Sequence, residues 1–190
     1  MKKGRILLLN GPSSAGKTTL AWELQTNAPG YWYWLPFDCF LDAVPSQQWD
    51  NDETGGFRTA YDLYHDCVKV ISDQGKDIII DTVMYSKDSF LSFVNKFVEY
   101  PVIMIKVICS VEELNRREHE RGDRDIGLAS SQLKHMESQT NYDLIVDTHA
   151  HSSEVCARSI IELLTNHEKS FTSFASLTAN PERWMNPSFQ

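Results

Sequence analysis

Ile6-Leu7-Leu8-Leu9-Asn10-Gly11-Pro12-Ser13-Ser14-Ala15-Gly16-Lys17-Thr18-Thr19-Leu20 decides the fold. Its first four residues are apolar without alternation, the pattern of a parallel strand covered on both faces. A turn of small residues follows, and a helix is expected from about Thr18 to Thr26. The turn fits GxxxxGK[ST], and a strand before it with a helix after it is the context that motif needs. Glycines let the backbone wrap closely around an anion, and successive N–H groups at the helix N-terminus face it. Gly11, Ser13, Ser14, Ala15, Gly16, Lys17, Thr18 and Thr19 are therefore the candidate phosphate-binding residues. Lys17 is placed to reach β- and γ-phosphates, and the Thr18 hydroxyl to ligate Mg²⁺.

Outward from this stretch, strands alternate with helical patterns. The strands are expected at Tyr33–Phe37, Asp77–Val83, Val102–Ile108 and Leu144–Val146. Helical spacing runs through Phe57–Ile71, Phe90–Val98 and Cys156–Leu164, and residues 42–56 read as a loop. Ser110-Val-Glu-Glu113 has capping-box spacing ahead of a polar helix ending near Glu120. The expectation is an α/β domain of three layers around a mostly parallel sheet, the P-loop nucleoside-triphosphate hydrolase fold in its nucleoside-kinase-like form. One kinase domain over 1–167, with a short lid near 117–128, would be followed by a polar tail over 168–190 that contains Phe171, Phe174, Trp184 and Phe189.

Composition narrows the classes. The 190 residues carry 18 basic and 26 acidic side chains, a net charge of −8, which argues against a nucleic-acid partner. No apolar run approaches the length that spans a bilayer, and the apolar run at the start is expected to be too short for a signal peptide. Cys39, Cys67, Cys109 and Cys156 lack CxxC spacing, so a reduced, cytoplasmic protein is expected. A homo-oligomer is compatible with all of this. The only Asn-Lys pair, Asn95-Lys96-Phe97-Val98, lacks the aspartate of a GTPase guanine site, and no Leu-Ser-Gly-Gly-Gln signature is present. ATP is the expected nucleotide, and a small-molecule kinase the expected class.

Three further groups carry chemistry. Asp38 follows the second strand and Asp81 lies late in the third, both facing the crevice beyond the sheet's carboxyl edge. Asp38 is assigned to the acceptor's hydroxyl proton and Asp81 to Mg²⁺. Arg121-Gly-Asp-Arg124 can stabilise the charge that spreads over the transferring phosphoryl group, so Lys17, Asp38, Arg121 and Arg124 form the catalytic set. Arg117 is a secondary candidate. The Asp147-Thr-His-Ala-His-Ser152 turn is expected to contact the nucleotide base, with Thr148 its candidate. His149 and His151 share a face only on a strand and have no third ligand, so no metal site is read there. Between Tyr31 and Ile80 the only basic residues are Arg58, Lys69 and Lys76, against many carboxylates and aromatics. A dianionic acceptor wants several arginines. The acceptor is therefore expected to be a small hydroxylated molecule, uncharged or cationic, with apolar surface.

Asn10–Thr18, Phe37-Asp-Cys-Phe-Leu-Asp-Ala-Val-Pro45, Ile78-Ile-Ile-Asp81, Arg121-Gly-Asp-Arg124 and Val146-Asp-Thr148 together resemble the chloramphenicol phosphotransferase family, in order, from about residue 5 to 165. The resemblance implies ATP-dependent phosphorylation of a hydroxyl, as in antibiotic resistance. Asp38 would be the base, Arg124 a lid arginine, and Gly11–Thr18 the site of ATP and magnesium. Pro12 stands where the resistance enzyme has a second glycine, and Thr18 where it has serine. A nucleoside or nucleotide kinase, and a non-catalytic ATP-binding module, are the alternatives.

Overall fold

Strand β1 (Ile6–Asn10) lies in the middle of a five-stranded parallel sheet. It pairs on one side with β3 (Asp77–Thr82) and on the other with β4 (Val102–Ile108). The outer strands are β2 (Trp32–Pro36), beside β3, and β5 (Leu144–Asp147), beside β4, so the order is β2-β3-β1-β4-β5. The computed structural model describes residues 2–45, 55–84, 86–122, 126–136, 141–166 and 171–179.

Side chains of a strand alternate between faces, and β1 shows what this does. Leu7 and Leu9 enter a core with Leu20 and Leu24 of α1 (Lys17–Asn27) and Ile160 and Leu163 of α7 (Ser153–Thr165). Ile6 and Leu8 enter a second core on the opposite face. It holds Tyr64 and Val68 of α3 (Gly56–Asp73) and Phe90, Phe93 and Phe97 of α4 (Lys87–Phe97). These four apolar β1 side chains are fully buried, each contributing about 1.5–3 kcal/mol of transfer free energy. The unalternating run of the sequence is thus the middle layer of three.

The remaining helices are α2 (Asp38–Asp42), α5 (Val111–Arg121), α6 (Leu128–Met136) and α8 (Ser173–Ala179). Three of them add to the sequence reading. Residues 38–42 are one short helical turn leading into the expected loop, whose residues 46–54 lie outside the described ones. Helix α6 was not anticipated, because its first turn is held by a distant residue. The carboxylate of Glu118, itself fully buried on α5, accepts the N–H groups of Gly127 and Ala129 at 2.9 and 2.7 Å. Helix α8 lies within the expected tail, yet Phe174 and Leu177 are buried in the second core against α4 and β4. Residues 173–179 therefore belong to the body, and Trp184 and Phe189 lie outside the described residues.

The capping box also differs. Ser110 accepts the Glu113 N–H at 3.2 Å as expected, but the Glu113 carboxylate bonds Arg116 and Arg117. A two-way box stands instead at Ser86 and Ser89, at the start of α4. Among the described residues no helix is long and apolar enough to cross a membrane, and the four cysteines are free thiols.

Candidate functional site

The phosphate loop joins the carboxyl end of β1 to α1. Ser14 and Gly16 both have left-handed backbones, with φ of 59° and 82°. Alternation of left- and right-handed residues turns consecutive N–H groups towards one concavity, which suits an anion. Glycine adopts that conformation freely; at Ser14 it carries strain of about 1–3 kcal/mol, the kind held at ligand sites. The Ser14 hydroxyl is buried with no hydrogen-bond partner among the described residues, so an incoming oxygen would satisfy it. Gly11 has a different reason. A Cβ there would stand 2.4 Å from the Val107 carbonyl oxygen, so only glycine lets the loop lie against β4.

A cavity of about 820 Å³ opens over this loop. Ser13, Ser14, Gly16, Lys17, Thr18 and Thr19 line it. Gly11 and Ala15 are buried and are not among the lining residues. The Lys17 ammonium donates to the Pro12 carbonyl oxygen at 2.8 Å, folded back along the loop.

Asp81 stands beside Thr18. The Thr18 hydroxyl donates to one carboxylate oxygen at 3.2 Å, and the Trp34 indole N–H to the other at 3.4 Å. Burial pushes the Asp81 pKa above the ordinary carboxylate range, against the pull of the Lys17 ammonium and these two bonds, and Asp38 adds a smaller push in the same direction. A carboxylate and a hydroxyl converging beside a phosphate loop are the hard oxygen ligands Mg²⁺ takes. A cation there would also offset the cost of burying the charge.

Asp38 opens α2 at an exposed position on the cavity wall. Its neighbour Phe37 is buried and packs on Tyr61 and Tyr64, with ring centroids 4.4 and 5.3 Å away, which fixes where α2 begins. The Tyr61 hydroxyl is 2.7 Å from that of Thr82 and donates to the Val83 carbonyl at 3.1 Å. Phe37, Leu41, Tyr61, Thr82 and Val83 complete this wall.

The arginines divide. Arg121 is exposed on the cavity wall at the end of α5. Arg124 lies outside the described residues. Arg117, read as secondary, ties three elements together: it donates to the Ser14 carbonyl at 3.2 Å, the Thr148 carbonyl at 3.0 Å and Glu113 at 2.8 Å. Thr148 lines the wall, but its hydroxyl donates to the Ala15 carbonyl at 2.8 Å, so it braces the loop. His151 lines the cavity beside it, whereas His149 turns to Ser110 at 3.0 Å.

Sequence reasoning missed Gln132, and it placed Trp34 among the aromatics of the acceptor region rather than beside Asp81. Gln132, on α6, accepts the Ser13 N–H at 2.7 Å from across the loop. No spacing rule links either residue to the motif, because both arrive through tertiary packing.

The chain matches the family described as "Chloramphenicol phosphotransferase-like protein" over residues 4–165. A Mycobacterium tuberculosis protein named "Putative O-phosphotransferase" is 30% identical over 186 residues, spanning 85% of this chain and 83% of its own. Two solved structures share the fold at low identity. One is the tunicamycin resistance protein of Deinococcus radiodurans, with a TM-score of 0.65 at 14% identity, over 86% of this chain and 96% of that one. The other is the shikimate kinase of Acinetobacter baumannii in complex with shikimate, with a TM-score of 0.62 at 18% identity, over 88% and 97%. The fold is that of the P-loop kinases, as the sequence reading expects.

Proposed function

The chain belongs to the chloramphenicol phosphotransferase-like family, and from that premise we propose that it is an ATP- and Mg²⁺-dependent O-phosphotransferase acting on a small hydroxylated molecule. One observation carries the reading. A single cavity is lined both by the phosphate loop, with its Thr18–Asp81 pair, and by Asp38 with Phe37, Leu41, Tyr61 and Val83.

In this reading the loop N–H groups and Lys17 hold the triphosphate. Thr18 and Asp81 hold Mg²⁺, which would neutralise charge on the phosphates. Asp38 takes the proton of the acceptor hydroxyl. The acceptor oxygen bonds to the γ-phosphorus as the bond from that phosphorus to the β,γ-bridging oxygen breaks, and ADP departs with that electron pair. Arg121 and Arg124 serve the charge on the equatorial oxygens.

The charge of the walls supports the choice of acceptor. Among the described residues, the lysine and arginines that line the cavity are Lys17, Arg117 and Arg121, from the loop and α5. The wall made by Phe37, Asp38, Leu41, Tyr61, Thr82 and Val83 offers aromatic and aliphatic surface, hydroxyls and a carboxylate. A carboxylate or phosphate on the acceptor would find no counter-charge among the described residues of that wall. An uncharged or cationic molecule with apolar surface fits, and hydroxylated antibiotics belong to that class.

The test is transfer of labelled γ-phosphate from ATP to chloramphenicol and a panel of hydroxylated antibiotics and nucleosides. Asp38→Ala should abolish transfer while ATP binding survives. Label on a nucleoside alone would make the protein a nucleoside kinase. Transfer that persists in Asp38→Ala would remove the base assignment.

A further inference from the structure

Gln132 is a polar side chain on the cavity wall that the proposed chemistry does not use. It reaches the phosphate loop from α6, the helix that follows the lid segment. Its carboxamide oxygen takes the Ser13 N–H at 2.7 Å. A backbone N–H can only donate, so the oxygen end of the carboxamide is fixed on the loop and the NH₂ end is turned away from it. Among the described residues no acceptor meets that NH₂. The helix that carries it is held at both ends, by the Glu118 carboxylate at its first turn and by the buried Lys106 ammonium, which donates to the Met136 carbonyl at 3.0 Å. Gln132 is therefore held in place by its helix and its own hydrogen bond.

The position along the loop is informative. The Pro12–Ser13 peptide unit gives its N–H to Gln132 and its carbonyl to the Lys17 ammonium. Lys17 is the residue that reaches β- and γ-phosphates in this motif, whereas the loop N–H groups further on cradle the α- and β-phosphates. Gln132 thus marks the γ end of the loop.

We infer that Gln132 is a specificity-determining residue for the triphosphate, its NH₂ group donating a hydrogen bond to a γ-phosphate oxygen while its carbonyl stays on Ser13. The inference rests on the ATP-dependent reading above. It gives the protein a means of favouring ATP over its product ADP that is neutral in charge and carried by α6.

Direct binding measures this without an acceptor. Calorimetric titration with Mg²⁺ and either ADP or the β,γ-imido analogue of ATP gives the ratio of the two affinities. Gln132→Ala should weaken the analogue about tenfold, as expected for one hydrogen bond to a charged group, and ADP by less than about twofold. Gln132→Glu keeps an oxygen for Ser13 and puts a negative charge where the NH₂ stood. It should weaken the analogue further with the melting temperature unchanged. Equal weakening of both nucleotides would assign Gln132 to loop shape alone, and equal tightening would make it a competitor of the nucleotide; either result overturns the inference. Wild-type protein that binds neither nucleotide would overturn the ATP reading itself.

Discussion

His65 sits in the middle of α3, 1% exposed, among the rings of Tyr61, Tyr64, Phe93 and Phe97 at centroid distances of 5.2, 5.8, 5.6 and 5.3 Å. Neither ring nitrogen has a hydrogen-bond partner among the described residues. Burial lowers its pKa from 6.5 to about 3; the nearby Lys96 ammonium adds to the fall and Asp66 opposes it. Lys96 is itself held by Asp66 at 2.9 Å and Asp62 at 3.8 Å. Below pH 6.5 the unfolded chain binds a proton at this residue that the folded chain refuses until about pH 3. The stability tied to His65 is therefore complete above pH 6.5 and is lost as pH falls from 6.5 towards 3. At about 1.36 kcal/mol per pH unit, the descent to pH 5 removes about 2 kcal/mol. His65→Leu conserves volume, abolishes the proton and removes two unpartnered nitrogens, whose burial costs about 1 kcal/mol or more. The variant should exceed the wild type by about 1 kcal/mol at pH 7 and about 3 kcal/mol at pH 5. Urea unfolding at pH 7, 6 and 5, followed by tryptophan fluorescence, reads both values provided the m-values agree. A gap between the two proteins that stays constant over this range would refute the argument.

Asp81→Asn keeps the shape beside Thr18 but removes the negative charge and leaves one neutral amide oxygen, so the Mg²⁺ concentration needed for half-maximal transfer should rise about tenfold. An unchanged Mg²⁺ dependence would remove Asp81 from that role. In Gly11→Ala the new methyl would stand 2.4 Å from the Val107 carbonyl oxygen. Separating loop and β4 should cost about 1–3 kcal/mol, which lowers the melting temperature by several degrees, and nucleotide affinity should fall with it. Thermal unfolding like that of the wild type would show that the loop has room to move. Glu118→Ala strips the first turn of α6 of its acceptor and should cost about 2–3 kcal/mol. Amide exchange at Gly127 and Ala129 should accelerate, and rates matching the wild type would show that another group caps the helix.

The elements legible in the sequence are those whose cause is local or periodic. Ile6–Leu9 announces a two-sided strand because both faces must be apolar, and the run from Tyr61 to Ile71 announces a helix because one face must be. Helix α1 needs only the Gly16-Lys17-Thr18 turn before it. The elements that escaped are held from afar. Helix α6 begins where Glu118, nine residues before Gly127, supplies acceptors. Helix α8 has one apolar pair, Phe174 and Leu177, which means little until β4 and α4 lie beneath it. The start of α4 was missed for a smaller reason. A serine at Ser89 can answer Ser86 as a glutamate would, but serine is common enough that its spacing carries little information.

The candidate site divides along the same line, and the arginines of α5 show it best. Arg117 and Arg121 are the same residue type one turn apart on one helix, so no periodicity separates them. What separates them is position relative to two loop ends. The carbonyl of Ser14, after β1, and that of Thr148, after β5, come together within reach of Arg117, and Glu113 lies one turn before it to fix the guanidinium. Arg117 is thereby part of the wall that shapes the phosphate loop. Arg121, one turn further, stands exposed over the cavity. If this division governs function, Arg117→Lys loses the fork that spans two carbonyls and a carboxylate, and should lower both thermal stability and nucleotide affinity. Arg121→Lys should leave stability and nucleotide affinity near those of the wild type while lowering the rate of transfer, because in the proposed mechanism the guanidinium fork, which lysine lacks, serves the transferring phosphoryl group. Thermal unfolding, ADP titration and labelled-phosphate transfer on the two variants separate the roles. If both variants lose stability equally, the two arginines share one structural task, and the assignment of Arg121 to phosphoryl transfer fails.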